Sequence, residues 1–163
     1  MRIIVISDTH GNYPLAVKAC DSVDQLDAII HLGDGDEDAV LLSQLFNVPV
    51  IQVAGNCDFG SSAPRELLWE CEGKRLLLTH GDLYGVKKGL GRLEKRGLDH
   101  AADIILFGHT HQAVIITMPK IILINPGSLN PASNQSNQSY AVLDVTPAGT
   151  AAKLHTIPPD DPL

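Results

Sequence analysis

The sequence predicts an α/β fold made of two stacked sheets with helices on the outside. In the first part of the chain, buried-strand patterns alternate with helical patterns, which is typical of βαβ crossovers and a partly parallel sheet. The rest of the chain carries many short strand patterns but little helical pattern. So many strands with so few helices favour a second sheet packed on the first, with the helices covering the outer faces.

The first part of the chain opens with a strand pattern. Arg2–Ser7 is a nearly continuous β-branched run, as expected for a strand buried on both faces. A helix is predicted to begin at Asn12, with this residue as the cap and Pro14 in the first turn. The alternation then continues with a strand, a helix and a strand: Asp27–Leu32, Asp36–Phe46 and Val48–Ala54.

The later part begins with a hairpin pattern. Glu66–Cys71 and Arg75–Thr79 are predicted strands joined by the turn Glu72–Lys74. A polar helix is predicted from Val86 to Gly97, and the polar segment Pro131–Ser139 is expected to be a loop. The remaining predicted strands are Asp103–Phe107, Ala113–Met118, Ile121–Ile124, Tyr140–Val145 and Ala151–Thr156.

Length and composition indicate one globular domain. The chain has 163 residues with no internal repeat or linker, so we expect one domain over residues 1–157 and a flexible tail over 158–163. Three cysteines without framework spacing, and a start unlike a signal peptide, predict a cytoplasmic protein. No apolar stretch is long enough for a bilayer, so we expect no membrane association.

The charge balance disfavours one class of partner. The formal net charge is −7, and the basic cluster between Lys87 and Arg96 has the spacing of a solvated helix face. Proteins that grip long nucleic acids usually carry a basic stripe instead. We therefore expect no long nucleic acid as partner, and an acidic excess of this kind suits cations.

Polar motifs follow five of the predicted strands, each beside a glycine. They are Asp8-Thr9-His10-Gly11, Gly33-Asp34-Gly35-Asp36, Gly55-Asn56-Cys57-Asp58, His80-Gly81-Asp82 and Gly108-His109-Thr110-His111. In open α/β sheets, ligands bind at the carboxyl ends of strands. Carboxylate, amide and imidazole groups together suit Mn, Fe, Ni, Co or Zn. There are more donors than one tetrahedral metal needs, which favours two metals roughly 3.5–4 Å apart.

These motifs, in this order, resemble the calcineurin-like metallophosphoesterase family, and the resemblance covers nearly the whole chain. The short length, the Gly55–Asp58 motif and the segment Asn125–Ser128 are similar to its small bacterial and archaeal phosphodiesterase branch. The resemblance implies a four-layer α/β/β/α sandwich. It implies two ligand sets joined by a bridging Asp34: Asp8, His10 and His111 for one metal, and Asn56, His80 and His109 for the other.

The resemblance also implies an activity. A hydroxide bridging two divalent ions, Mn²⁺ as first choice and Ni, Fe, Co, Zn or Mg as alternatives, would attack the phosphorus of a small phosphate ester. Asp34, Asn56, Cys57 and His80 are the expected catalytic residues. Many family members have a histidine, thought to protonate the leaving group, where this chain has Cys57. Losing a general acid costs about 10²–10⁴-fold, so we expect activated diesters to be the better substrates.

Other readings of the same residues remain open. The leading alternative function is a metal-bound scaffold that binds partners with little catalysis, as in a eukaryotic retromer subunit of this fold; a nuclease for long DNA is disfavoured by the acidic charge. A homo-oligomer is left open by the resemblance. His31 is expected to be a core or supporting residue. Asp36, Asp58 and Asp82 are expected to orient the histidines, on their proximity in sequence alone.

Overall fold

The computed structural model describes residues 1–130 and 137–157. Within these residues the chain forms two five-stranded mixed sheets. The first sheet has the order β10 (Gly149–Ile157), β9 (Gln138–Thr146), β1 (Arg2–Ile6), β2 (Ala28–His31) and β3 (Val50–Gln52). The second has the order β4 (Glu66–Cys71), β5 (Lys74–Thr79), β6 (Ile104–Phe107), β8 (Ile122–Asn125) and β7 (Val114–Thr117). The helices are α1 (Tyr13–Asp21), α2 (Asp36–Leu45) and α3 (Gly91–Asp99), with a short 3-10 turn at Asp82–Tyr84.

Three apolar clusters define four layers. The central cluster joins the facing sides of the two sheets, for example Val5 and Ile30 from the first sheet with Leu78 from the second. A second cluster packs α1 and α2 against the outer face of the first sheet, and a third packs α3 against the outer face of the second. Alternate residues of a strand point to opposite faces, so a strand covered on both sides has to be apolar throughout. The predicted α/β/β/α sandwich is therefore confirmed.

The strands lie where the sequence predicts them, with shifts of a few residues at the ends. The predicted helix from Val86 begins instead at Gly91, because Gly89, which lies within the predicted span, has a positive φ (150°) that a helix does not allow. β9 begins at Gln138, so the end of the predicted loop 131–139 is strand. Residues 131–136 of that loop and the predicted tail 158–163 lie outside the described residues. Among the described residues, no helix is long and apolar enough to cross a bilayer.

The sheet topology brings the carboxyl ends of the central strands to one edge. β1, β2 and β3 are mutually parallel neighbours in the first sheet. In the second sheet β5 and β6 are parallel neighbours. Five polar loops therefore follow strands that end at the same edge of the sandwich, as expected for ligand-binding loops in sheets of this kind.

Candidate metal centre

The structure brings six of the seven predicted ligands into two clusters, and the seventh, Asn56, is in neither. Asp8, His10 and His111 present ligand atoms that all lie within 4.8 Å of one another. Asp34, His80 and His109 do the same. The first cluster joins the ends of β1 and β6, and the second joins the ends of β2, β5 and β6. Each cluster alone has the size and composition of a site for one divalent cation.

Asp34 faces both clusters with one oxygen. Its Oδ2 lies 3.8 Å from His10 Nε2 and 3.4 Å from His80 Nε2. Its other oxygen, Oδ1, accepts a hydrogen bond from the Cys57 backbone N–H at 2.8 Å. The carboxylate is thus fixed by the β3 loop, and its free oxygen points to the space between the two histidines.

Asp8 has a buried oxygen without a hydrogen-bond partner. Its Oδ2 accepts bonds from the Ser7 hydroxyl at 2.6 Å and the His109 N–H at 3.1 Å. Its Oδ1 has none, although His111 Nε2 lies 3.0 Å away. A buried carboxylate oxygen left unpaired costs free energy in an ordinary core. Two electron-rich atoms aimed at one point are what a cation needs, so the residues present fit a metal ion.

The hydrogen bond of His80 selects the tautomer that a ligand requires. Its Nδ1 lies 2.8 Å from the Leu32 carbonyl oxygen, which only accepts, so Nδ1 carries the proton and Nε2 of the neutral ring is free to bind a cation. Nε2 faces Asp34 and lies 3.1 Å from His109 Nδ1. Burial opposes a charged imidazole, but Asp34 and Asp8 together raise the pKa of His80 above its ordinary value. Two rings and two carboxylates thus converge on one small space.

Ionised carboxylates complete the electrostatics of the two clusters. Burial works against ionisation of Asp34, but His80 and the Cys57 N–H lower its pKa below the usual range. Burial likewise opposes ionisation of Asp8, and His111, His80 and the Ser7 hydroxyl outweigh it and lower the pKa. Both side chains are therefore negatively charged at neutral pH, as metal ligands must be.

The candidate ligands have unusual backbone conformations. Among the described residues, eight other than glycine have a positive φ, and five of these are candidate ligands: Asp8 (55°), His10 (48°), Asp34 (56°), His109 (66°) and His111 (60°). Each such residue costs of order 1 kcal/mol or more and persists where its surroundings fix it. Backbone strain concentrated at one edge of the sandwich is typical of a functional site.

Asp58 connects two of the site loops. Its Oδ2 accepts the N–H groups of Asp34 and Gly55, both at 2.7 Å. Its Oδ1 accepts those of Gly35 at 2.8 Å and Asp36 at 3.1 Å. Burial opposes ionisation, but these four donors lower the pKa of Asp58 below its ordinary value. This carboxylate therefore holds the loop of Asp34 against the loop of Asn56.

The expectation that three acidic residues orient the histidines is wrong for the described residues. Asp58 binds backbone N–H groups, as above. Asp36 accepts hydrogen bonds from Gln52 and Ser61, and Asp82 accepts one from Arg65. A backbone carbonyl orients His80 instead. Proximity in sequence misled because the loops turn sharply, so neighbouring side chains point in different directions.

The sequence did not predict how several residues support the site loops. Ser128 Oγ donates to the Asp8 carbonyl oxygen, and Asn125 Nδ2 donates to the Gly108 carbonyl oxygen. Asp38, nearly fully buried, accepts the Gly11 N–H at 2.9 Å. The segment Asn125–Ser128 thus supports the loops after β1 and β6. A serine or asparagine at a strand end is too common for its pattern to have identified this role.

His31 is a buried supporting residue, as expected. Its Nδ1 accepts the Gly33 N–H at 3.2 Å, so Nε2 carries the proton and donates to the Thr9 hydroxyl at 3.0 Å. Burial lowers the pKa of this imidazole and keeps it neutral. The side chain therefore links the loop after β1 to the loop after β2.

Asn56 and Cys57 lie on the exposed turn after β3. Asn56 Nδ2 is 3.3 Å from Cys57 Sγ, and Cys57 Sγ shares a third cluster with His10 and Asp34. Burial and the carboxylate of Asp34 raise the pKa of Cys57 to about 11. A thiol with that pKa is a weak proton donor, in line with the expectation that it replaces a histidine poorly.

Gly33 is required where two site loops touch. A Cβ on Gly33 would lie 2.4 Å from the Gly55 N and 2.7 Å from its Cα, and the φ is +95°. Gly73, in the β4–β5 turn, also has a positive φ (+72°), but open space surrounds it. We expect Gly73→Ala to lower the free energy of unfolding by about 1–2 kcal/mol through backbone strain. Gly33→Ala should cost roughly 1–3 kcal/mol more through backbone overlap.

Urea unfolding of the two alanine variants, compared at matched pH without metal, checks this difference. Equal losses at the two positions would contradict the close contact between the loops after β2 and β3.

The fold and the two clusters define the class of this protein. A sequence model of the calcineurin-like phosphoesterase superfamily domain matches residues 1–148. The chain belongs to this family, and the notable features of its site, a carboxylate and histidine set at the strand ends, are those of a metallophosphoesterase.

Individual relatives support the same assignment. The chain is 34% identical over 144 residues to the probable metallophosphoesterase YsnB of Bacillus subtilis, covering 88% of this chain and 83% of that one. It is 30% identical over 169 residues to the phosphodiesterase YfcE of Escherichia coli, covering 88% of each. A structure of Vps29 with Zn²⁺ from Entamoeba histolytica has a TM-score of 0.80 at 19% identity, covering 99% of this chain and 95% of that one. The last likeness concerns the fold alone.

Proposed function

We propose that this protein is a two-metal phosphodiesterase. The observation that carries the proposal is the pair of ligand clusters with Asp34 Oδ2 between them, 3.8 Å from His10 and 3.4 Å from His80. Metal separations in two-metal hydrolases are about 3.5–4 Å. The similarity to a named phosphodiesterase favours diesters over monoesters.

Each side chain has a defined part in this proposal. Asp8, His10 and His111 would hold one ion, Asn56, His80 and His109 the other, and Asp34 both. Two bound divalent cations would lower the pKa of a water molecule and neutralise charge on the phosphoryl group. The Leu32 carbonyl oxygen fixes the ring of His80, and the Ser7 hydroxyl and His109 N–H fix the carboxylate of Asp8. One ligand of each ion is therefore already held in place.

The leaving group receives limited help from the chain. Cys57 stands where a general acid would be, and its pKa of about 11 makes it a poor donor. The Asn56 amide can instead donate a hydrogen bond to a phosphate oxygen. We therefore propose that esters with good leaving groups are hydrolysed best, because they need no protonation.

The physiological setting follows from the bulk properties. We propose one domain over residues 1–157, acting in the cytoplasm on small soluble phosphate esters, with Mn²⁺ as the first metal to test. The net charge of −7 is consistent with a small substrate rather than a long nucleic acid.

Hydrolysis of bis-p-nitrophenyl phosphate tests the proposal. Chelator-stripped protein is expected to be inactive and to regain turnover when Mn²⁺, Ni²⁺ or Mg²⁺ is added. Inductively coupled plasma mass spectrometry of the Mn²⁺-loaded protein should find two ions per chain. If the folded protein binds two ions and yet hydrolyses no ester with any metal, the proposed enzymatic function is excluded.

That negative outcome would favour a second candidate, a metal-bound scaffold. The raised pKa of Cys57 and the likeness in fold to Vps29 are the observations in its favour. Against it stands the complete set of carboxylate and histidine donors, since a scaffold gains nothing from a full catalytic set.

A further inference from the structure

An exposed phenylalanine lies beside the candidate metal centre. Phe59 directly follows the turn that carries Asn56 and Cys57, and it is 94% exposed. It lines the same cavity, about 270 Å³ in volume, as His10, Asp34 and Cys57. A single exposed apolar residue on a protein surface needs no explanation. An exposed phenylalanine that lines the cavity of the candidate metal centre does need an explanation, because a bound substrate would cover it.

The backbone under Phe59 is firmly held. The Phe59 N–H donates to the Cys57 carbonyl oxygen at 3.0 Å, and the Ser61 N–H donates to the Asp58 carbonyl oxygen at 3.3 Å. The Ser61 hydroxyl donates to Asp36 Oδ1 at 2.7 Å, which ties the turn to the start of α2. With the four bonds to Asp58, these contacts fix the point from which the ring projects. A ring on a fixed support binds a ligand without paying to order a loop.

The cavity wall also carries a charge bias. Around Phe59 the described lining residues include Asp36, Glu37 and Asp38 and no lysine or arginine. Asp36 and Asp38 are hydrogen-bonded within the protein, whereas Glu37 is exposed on the first turn of α2. A group with a further negative charge would meet repulsion there.

We propose, on the basis of the phosphodiesterase function above, that Phe59 is a specificity-determining residue that stacks against an uncharged aromatic ester group of the substrate. With the phosphate at the metal centre, the ester group on the α2 side would lie over the ring. Aromatic stacking of this kind tolerates many ring types. The substrate class is therefore a diester of one phosphate with an aromatic substituent, not a polyphosphate.

Three diesters that share the p-nitrophenolate leaving group test the stacking: phenyl, methyl and 4-carboxyphenyl p-nitrophenyl phosphate. In Phe59→Ala, kcat/KM for the phenyl ester is expected to fall about five- to tenfold, mainly through KM, because stacking stabilises substrate and transition state alike. The methyl ester should change less than about twofold, since it lacks a ring. Phe59→Trp should keep the phenyl preference. Leu45→Ala, which removes another exposed apolar side chain outside this cavity, is the control and should change neither ester.

The charge argument has its own comparison. The wild type should hydrolyse the 4-carboxyphenyl ester less well than the phenyl ester, and Glu37→Gln should narrow that difference about two- to fivefold. Equal rates for the two esters in the wild type would overturn the charge part of the proposal.

A binding measurement separates this inference from the proposed function. Calorimetry on Mn²⁺-loaded protein should find that phenyl phosphate binds more tightly than methyl phosphate, and that Phe59→Ala removes the difference. Turnover of no ester by the wild type would contradict the phosphodiesterase, and the calorimetry would still decide the role of Phe59. If Phe59→Ala lowers the affinity for phenyl phosphate and methyl phosphate equally, or lowers neither, the proposed stacking is overturned.

Discussion

Replacing Asp34 with asparagine is expected to remove metal-dependent hydrolysis and leave the fold intact. Asparagine has the same shape and keeps an oxygen that can accept the Cys57 N–H, now bonded at 2.8 Å. What it loses is the negative charge and the second carboxylate oxygen, which lies between His10 and His80. An amide NH₂ in that place would face the free Nε2 of His80 and repel a cation.

The size of the effect follows from the position. Removing a group that only orients a metal ligand typically costs about 10–100-fold in metal affinity or activity. Asp34 itself faces both clusters, so kcat/KM for bis-p-nitrophenyl phosphate should fall by more than about 100-fold. The metal content, measured by the same inductively coupled plasma mass spectrometry, should fall below that of the wild type.

Asp144→Asn is the matched control for this experiment. Asp144 lies on β9 and forms an ion pair with Arg2 at 2.8 Å, with about half of its side chain exposed. Exposed ion pairs contribute little to stability, so activity and metal content should stay near wild type. Undiminished activity in Asp34→Asn would mean that the two clusters do not share this carboxylate.

Much of the fold could be predicted because its strands are buried on both faces. Runs such as Ile3–Ile6 and Ile104–Phe107 are apolar throughout, which few other structures require. The predicted ends of the strands were less accurate. Ser7 was predicted as strand, but it leaves the ladder and donates its hydroxyl to Asp8. The start of α3 was missed because the glycines before it allow either a helix or the left-handed turns observed.

The candidate ligands could be predicted from the sequence, since each follows a strand and the carboxyl ends of parallel strands meet at one edge. Their support could not. Asp58 reaches the N–H of Asp34 across 24 residues, and Ser128 reaches the Asp8 carbonyl oxygen across 120. Hydrogen bonds to backbone leave no periodic pattern, because any side-chain oxygen can make them. The position of Phe59 could not be predicted either, because exposure is a property of the folded surface.

Asp58→Ala is expected to destabilise the protein strongly without removing a candidate ligand. Its carboxylate accepts four backbone N–H groups, from Asp34, Gly35, Asp36 and Gly55. Hydrogen bonds to a charged group are worth about 1.5–3 kcal/mol each, and the four act together rather than additively. We expect the free energy of unfolding to fall by about 3–5 kcal/mol, a large part of the 5–15 kcal/mol typical of a domain.

Asp38→Ala provides the comparison that isolates this role. Asp38 is also buried and acidic, but it accepts a single backbone N–H in the described structure, from Gly11. Its loss should cost about 1–3 kcal/mol. Urea unfolding of both metal-free variants measures the difference, and Mn²⁺ titration should show a roughly 10–100-fold weaker affinity in Asp58→Ala. If the two variants unfold alike and Asp58→Ala binds Mn²⁺ as the wild type does, the loops of Asp34 and Asn56 are positioned by their own strands and not by this carboxylate. If they differ as expected, a residue whose carboxylate binds backbone N–H groups, not a metal, sets the spacing between the ligands of both ions.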